Sequence, residues 1–85
     1  MIDDIFIKNL PTLDLHGYDT ASARVKTMDF ITEATIMNYS KIVIIHGISG
    51  GYVKKEVHNY LKYDKRVANY YIDSNNAGCT IIILK

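Results

Sequence analysis

The chain has 85 residues, 48% hydrophobic and 22% charged, with a formal net charge of +1, one cysteine and no tryptophan. Domains usually run to roughly 100–200 residues, so one small domain is expected, with a modest core that buries about 60–65% of the unfolded chain's surface. This composition excludes a disordered or fibrous segment, and Cys79 alone excludes an internal disulfide or a thiolate-rich zinc cage.

The longest aliphatic runs, Ile42–Ile45 and Ile81–Leu84, fall far short of the roughly 20 residues that a membrane helix needs. Met1-Ile2 run straight into Asp3 and Asp4, unlike a signal peptide. A cytoplasmic protein with no membrane partner is the expectation.

Pro11 disfavours a helix continuing through Leu10. Residues 1–11 therefore read as an extended arm or edge strand ahead of a domain at residues 12–85. Leu13-Asp14-Leu15-His16 alternates apolar and polar side chains until Gly17, which predicts a short strand. Asp19 or Thr20 can cap a helix that runs to Met37, its face marked by Ala21, Val25, Met28, Ile31 and Ala34. Asn38-Tyr39-Ser40 closes it, and Lys41–His46 is a β-branched run suited to a strand covered on both sides.

After the loop Gly47-Ile48-Ser49-Gly50-Gly51, residues Val53, Val57, Tyr60 and Leu61 mark a second helix from about residue 51 to 63. Val67–Ile72 reads as a third strand, Asp73–Gly78 as a turn and Cys79–Leu84 as a fourth strand. The order β-α-β-α-β-β predicts an α/β two-layer sandwich of the α+β type. A four-stranded mixed sheet carries both helices on one face, the two crossovers joining parallel neighbours and the last two strands forming an antiparallel hairpin.

The net charge hides an asymmetry. Residues 1–19 hold Asp3, Asp4, Asp14 and Asp19 against Lys8, whereas residues 51–66 hold Lys54, Lys55, Lys62, Lys65 and Arg66 against Glu56 and Asp64. Such a basic segment can meet phosphates, although a charge run is more often a solvated helix face.

Ligands of parallel sheets collect beyond the carboxyl ends of the strands. Asp14 and His16 lie at one such end and His46-Gly47 at another. The glycines after His46 lead into a helix N-terminus, where unpaired N–H groups favour an anion. Ser49, Lys54 and Lys55 can supply further donors. Each residue also has a structural reading: Asp14 can tie down a loop, His16 can mark a turn, and His46 can donate to a backbone carbonyl in a tight corner. Taken together, two histidines and a carboxylate beside a glycine loop point to a site.

These residues resemble the Smr (small MutS-related) domain family. Its Leu-Asp-Leu-x-Gly motif is matched by Leu13-Asp14-Leu15-His16-Gly17, and its His-Gly motif after a hydrophobic strand by Ile44-Ile45-His46-Gly47. Gly51-Tyr52-Val53-Lys54 matches the opening of the family's second helix, Tyr60-Leu61 its aromatic-Leu pair, and Gly78-Cys79-Thr80 followed by aliphatics its close. The resemblance spans roughly Thr12 to Lys85. It implies a fold like the C-terminal domain of a bacterial translation initiation factor, and a chain like the family's stand-alone members. Two departures stand out. Ile48 and Ser49 occupy places where many members carry a cation and a glycine, and Asn75-Asn76-Ala77-Gly78 replaces a glycine-rich segment.

The resemblance implies nucleic-acid binding with nicking or structure-selective endonuclease activity on DNA or RNA. Asp14 would orient the attacking water or hold a divalent cation, Mg²⁺ or Mn²⁺, while His46 and His16 would move protons. Gly47, Ser49, Gly50 and Gly51 would hold the scissile phosphate, and Lys54, Lys55 and Lys62 would track the backbone. Tyr18 and Tyr52, beside the two motifs, could stack on bases. The alternatives are a non-catalytic module that binds nucleic acid or the ribosome, and a protein-interaction adaptor.

Overall fold

The computed structural model describes residues 10–48 and 51–85, so most of the expected N-terminal arm, together with Ser49 and Gly50, lies outside the described residues. The elements are β1 (Thr12–Asp14), α1 (Thr20–Ile36), β2 (Lys41–Ile45), α2 (Tyr52–Leu61), β3 (Val67–Asp73) and β4 (Asn76–Leu84). The sheet order is β1-β2-β4-β3, with β1 and β2 parallel and the other pairs antiparallel.

One expectation is corrected. Only the first crossover joins neighbouring strands; β4 folds back between β2 and β3 and separates them. The physical reason is burial. The two most apolar strands, β2 and β4, take the centre, where both faces are covered, and β3, with Asn69, Tyr71 and Asp73, takes an edge.

Both helices pack on one face. Ala23, Ile31 and Ala34 of α1 and Val57 and Leu61 of α2 enclose Leu15, Ile42, Ile44, Ile82 and Leu84 from the sheet. Val43, Cys79 and Ile81 form a smaller cluster on the opposite face, with Leu10, Ile45 and Ile83 against it.

The face of α1 keeps Ile31 and Ala34 as expected but differs in its first half. Ala23, Thr27, Ile31 and Ala34 are buried, whereas Val25 is 51% and Met28 42% exposed. Small side chains let the helix approach the sheet closely. Thr27 tolerates burial because its hydroxyl donates to the Ala23 carbonyl at 2.8 Å. Asp19 caps the helix, its carboxylate accepting from the Ser22 N–H at 2.7 Å. At the other end, Asn38 adopts φ 62 while its N–H and that of Tyr39 donate to the Thr35 and Ala34 carbonyls. This left-handed cap stops the helix and turns the chain into β2.

Candidate nucleic-acid interface

The end of β2 holds a chain of three side chains. Alternation along β2 sends Ile42 and Ile44 to the helix side, and His46 follows them, only 6% exposed. Its Nδ1 lies 2.9 Å from the Gly47 carbonyl and its Nε2 lies 2.8 Å from the Thr80 hydroxyl. The hydroxyl also lies 2.8 Å from Nε2 of His58, on α2.

Donor chemistry orders this chain. A carbonyl only accepts, so Nδ1 of His46 carries a proton, and Nε2 of the neutral ring accepts from Thr80. The single Thr80 proton is then committed, and Thr80 accepts from the Nε2–H of His58. The His58 ring also meets the Tyr70 ring edge-on, with centroids 5.1 Å apart.

Both imidazoles are pushed below the ordinary value of 6.5, chiefly by burial. For His46 the bond to the Gly47 carbonyl opposes this and Lys54 adds to it; for His58 the neighbouring His46, Lys54 and Lys62 add to it.

Sequence reasoning named His46 but missed His58 and Thr80. The signal for Thr80 was readable: a hydroxyl at the helix-side position of an otherwise aliphatic strand needs a partner. His58 could have been found from the stripe Lys54, His58, Lys62 at four-residue spacing, which places all three on one helix face.

Asp14 and His46 stand on opposite faces of the sheet. Leu13 and Leu15 flank Asp14 and pack into the helix-side core, so the carboxylate faces the other way. Asp14 pairs with Ile45, which pairs with Cys79. The Cys79 thiol is pushed up by burial and then by the charges of Asp73 and Asp14, in keeping with that shared face.

One Asp14 oxygen accepts the His16 N–H at 2.9 Å and so shapes the turn at Gly17, whose φ is 82. His16 and His46 meet at a single cleft beyond the ends of β1 and β2, of about 820 Å³, that Tyr18, Gly47, Tyr52 and Asn76 also line. Among the described residues, no three His, Cys, Asp or Glu side chains converge as metal ligands.

The glycine loop is partly self-satisfied. The N–H groups of His46 and Gly47 both donate to the Gly78 carbonyl, at 2.9 and 3.0 Å, so the Gly47 amide is not available to a phosphate. Gly47 and Gly51 adopt φ 84 and 73, a conformation that favours glycine. Gly51 enters α2 with no side-chain cap, and the exposed Ile48 stands at the cleft. Ser49 and Gly50, expected to hold phosphate, lie outside the described residues.

Beyond the loop, Lys54, Lys55, His58, Asn59, Lys62 and Tyr70 line a second, shallower groove. The basic segment therefore splits. The three lysines face this groove, whereas Arg66 is held by Asp64 at the far end of α2.

A mixed four-stranded sheet with two helices on one face, and a glycine loop joining a central strand to a basic helix, is the architecture of a small α+β domain of the Smr type. The Smr domain family model matches residues 13–85, and the chain belongs to that family. It is 37% identical over 78 residues to the protein named endonuclease MutS2 of Ligilactobacillus salivarius, covering 88% of this chain and 10% of the relative. To the endonuclease MutS2 of Staphylococcus saprophyticus it is 41% identical over 58 residues, covering 68% of this chain and 7% of the relative. The chain thus spans about a tenth of the length of these curated relatives.

Among solved structures, the Smr domain of Thermus thermophilus MutS2 superposes with a TM-score of 0.87 at 24% identity, covering 89% of this chain and 99% of that one. YdaL, a stand-alone small MutS-related protein from Escherichia coli, superposes with a TM-score of 0.83 at 20% identity, covering 87% and 63%. Both bear out the fold read from the motifs.

Proposed function

We propose that this chain binds DNA or RNA through α2 and its preceding loop and hydrolyses phosphodiester bonds in it. The observation that carries the reading is the groove of Lys54, Lys55 and Lys62, which make no ion pair among the described residues, beside the histidine-lined cleft at the end of β2. The name endonuclease borne by the curated relatives supports the hydrolytic half.

In this mechanism the second Asp14 oxygen, unpaired among the described residues, orients a water and takes its proton as the water oxygen bonds to phosphorus. The bond from phosphorus to the leaving oxygen breaks, and exposed His16, in its protonated form, supplies the proton that this oxygen needs. His46 acts as a positioning residue, since both its nitrogens hold the loop and β4 in place. Mg²⁺ or Mn²⁺, if bound, would add Lewis acidity at the phosphate.

The test is nicking of supercoiled plasmid and cleavage of labelled stem-loop RNA in Mg²⁺, in Mn²⁺ and in chelator. Wild type cleaves at least one substrate, and Asp14→Ala slows it by about 100-fold or more. Equal rates in the two proteins reject Asp14.

A second reading, binding without cleavage, is favoured by two observations. Both His46 nitrogens are engaged, and Ile48 offers no charge to a developing oxyanion. It predicts salt-sensitive binding to nucleic acid, or co-sedimentation with ribosomes, and intact substrates under every metal condition.

A further inference from the structure

The chain His58–Thr80–His46 has a direction, and it singles out one nitrogen. His46 has a partner at each ring nitrogen. His58 has one at Nε2, and its Nδ1 has none among the described residues. Among the described residues no buried side-chain nitrogen or oxygen is without a partner, so Nδ1 of this half-buried ring is not sealed from the groove. His58 itself lines the groove with Lys54, Lys55, Asn59, Lys62 and Tyr70.

The same chain decides where an added proton shows itself: in either arrangement Nδ1 of His58 carries an N–H. Adding one to Nε2 of His46 reverses the bond with Thr80, whose hydroxyl then donates to Nε2 of His58 once that ring carries its proton on Nδ1. Adding one to Nδ1 of His58 keeps all three hydrogen bonds and creates an outward-facing donor. Histidine is the side chain whose ordinary titration falls near neutral pH.

We propose, resting on the nucleic-acid reading above, that His58 is a phosphate-contacting residue of this groove, protonated at Nδ1 as a nucleic-acid phosphodiester seats between Lys54 and Lys62.

The surroundings of His58 favour this coupling. Lys54 lies one turn before His58 on α2, Lys62 lies one turn after it at the helix C-cap, and Lys55 lines the same groove. From the sheet, His46 packs at the end of β2, Tyr70 brings its ring edge from β3, and Thr80 brings its hydroxyl from β4. Burial, and after it the neighbouring His46, Lys54 and Lys62, hold the proton affinity of His58 down in the free protein. A phosphodiester brings one negative charge into that field, offsets the repulsion and raises the affinity of Nδ1 for a proton. By linkage, binding must then tighten as pH falls through the His58 titration.

The experiment is fluorescence anisotropy of labelled oligothymidylate and oligouridylate at fixed salt, between about pH 5.5 and pH 8. If the phosphate raises the His58 pKa by about one unit, wild-type Kd falls as pH is lowered through this range, by at most about tenfold. His58→Gln, whose amide can still donate to Thr80, loses that dependence.

A flat wild-type profile overturns the assignment and leaves nucleic-acid binding standing. A pH dependence retained in His58→Gln also overturns it, since another group is then the source. No binding to either oligonucleotide at any pH overturns the assignment and the underlying reading together. Should His58→Gln fail to fold, nitrogen NMR of the wild-type imidazole decides: Nδ1 of His58 must become protonated on addition of oligonucleotide at neutral pH, and an unchanged neutral ring sinks the proposal.

Discussion

The two ends of α2 carry similar sequence chemistry and opposite structural fates. At the C-terminal end, Asp64 has a side chain only 4% exposed and accepts four hydrogen bonds: from the Tyr60 hydroxyl and from the Arg66 backbone N–H, Nε and Nη2. Arg66 reaches on to the Thr32 hydroxyl of α1 at 2.7 Å. These bonds hold the Asp64 carboxyl well below the usual carboxylate range, and burial and Asp64 push the Tyr60 phenol up.

At the N-terminal end, Lys54 and Lys55 make no ion pair among the described residues, and one nitrogen of His58 is not sealed from the groove. Charge in the sequence is thus not charge at the surface. A cation that finds a buried carboxylate becomes part of the fold, and one that finds none remains available to a ligand.

The largest expected effect separates the two ends by stability. Asp64→Asn removes the charge that Arg66 and Tyr60 surround and lowers unfolding free energy by about 2–3 kcal/mol, read by urea denaturation. Its effect on oligonucleotide affinity at neutral pH is small. The sign with pH follows from the depressed carboxyl. In wild type the Asp64 contribution is full above its ordinary value of 3.8 and is lost as pH falls below it toward the folded-state value. In Asp64→Asn this part of the acid sensitivity disappears. An unchanged acid limb would place the source elsewhere.

An intermediate effect is expected at the link between the ends and the sheet. Thr80→Val strips both histidines of a partner and lowers stability by about 1–3 kcal/mol, whereas Thr80→Ser retains most of it. Because both imidazoles are held below 6.5, their contribution is full above that value and declines as pH falls through the folded-state titrations. Unfolding curves of wild type and Thr80→Val measured across this range test the assignment, and equal losses for Val and Ser would refute the hydroxyl's role.

The smallest effect on stability goes with the clearest effect on binding. Lys54→Ala combined with Lys55→Ala changes unfolding free energy by less than about 0.5 kcal/mol per site. If each lysine neutralises one phosphate of duplex DNA, the slope of log affinity against log salt becomes shallower by about 1.8. A salt slope like that of wild type would place the contact surface away from α2.

Much of this was legible beforehand. The strong β-branched runs of β2 and β4 and the motif pair around Asp14 and His46 carried the family and its elements, because alternation and glycine placement are local properties. Of the α1 face only Ile31 and Ala34 were legible, because the helix's apolar residues are spread around it; packing selected Ala23 and Thr27 over Val25 and Met28 for size rather than hydropathy. The place of β4 between β2 and β3 was also out of reach, since it depends on which strand gains most from being covered on both faces.

By itself, then, the sequence determined the order of elements, the loop at Gly47–Gly51 and the family to which they belong. Only the tertiary structure decided which polar groups meet. It set Asp14 and His46 on opposite faces of the sheet, joined His46 to His58 through Thr80, and took Arg66 out of the basic surface. Thr80 lies 34 residues from His46 and 22 from His58, and a hydrogen bond across such separations is fixed by strand pairing and helix docking, not by local propensity.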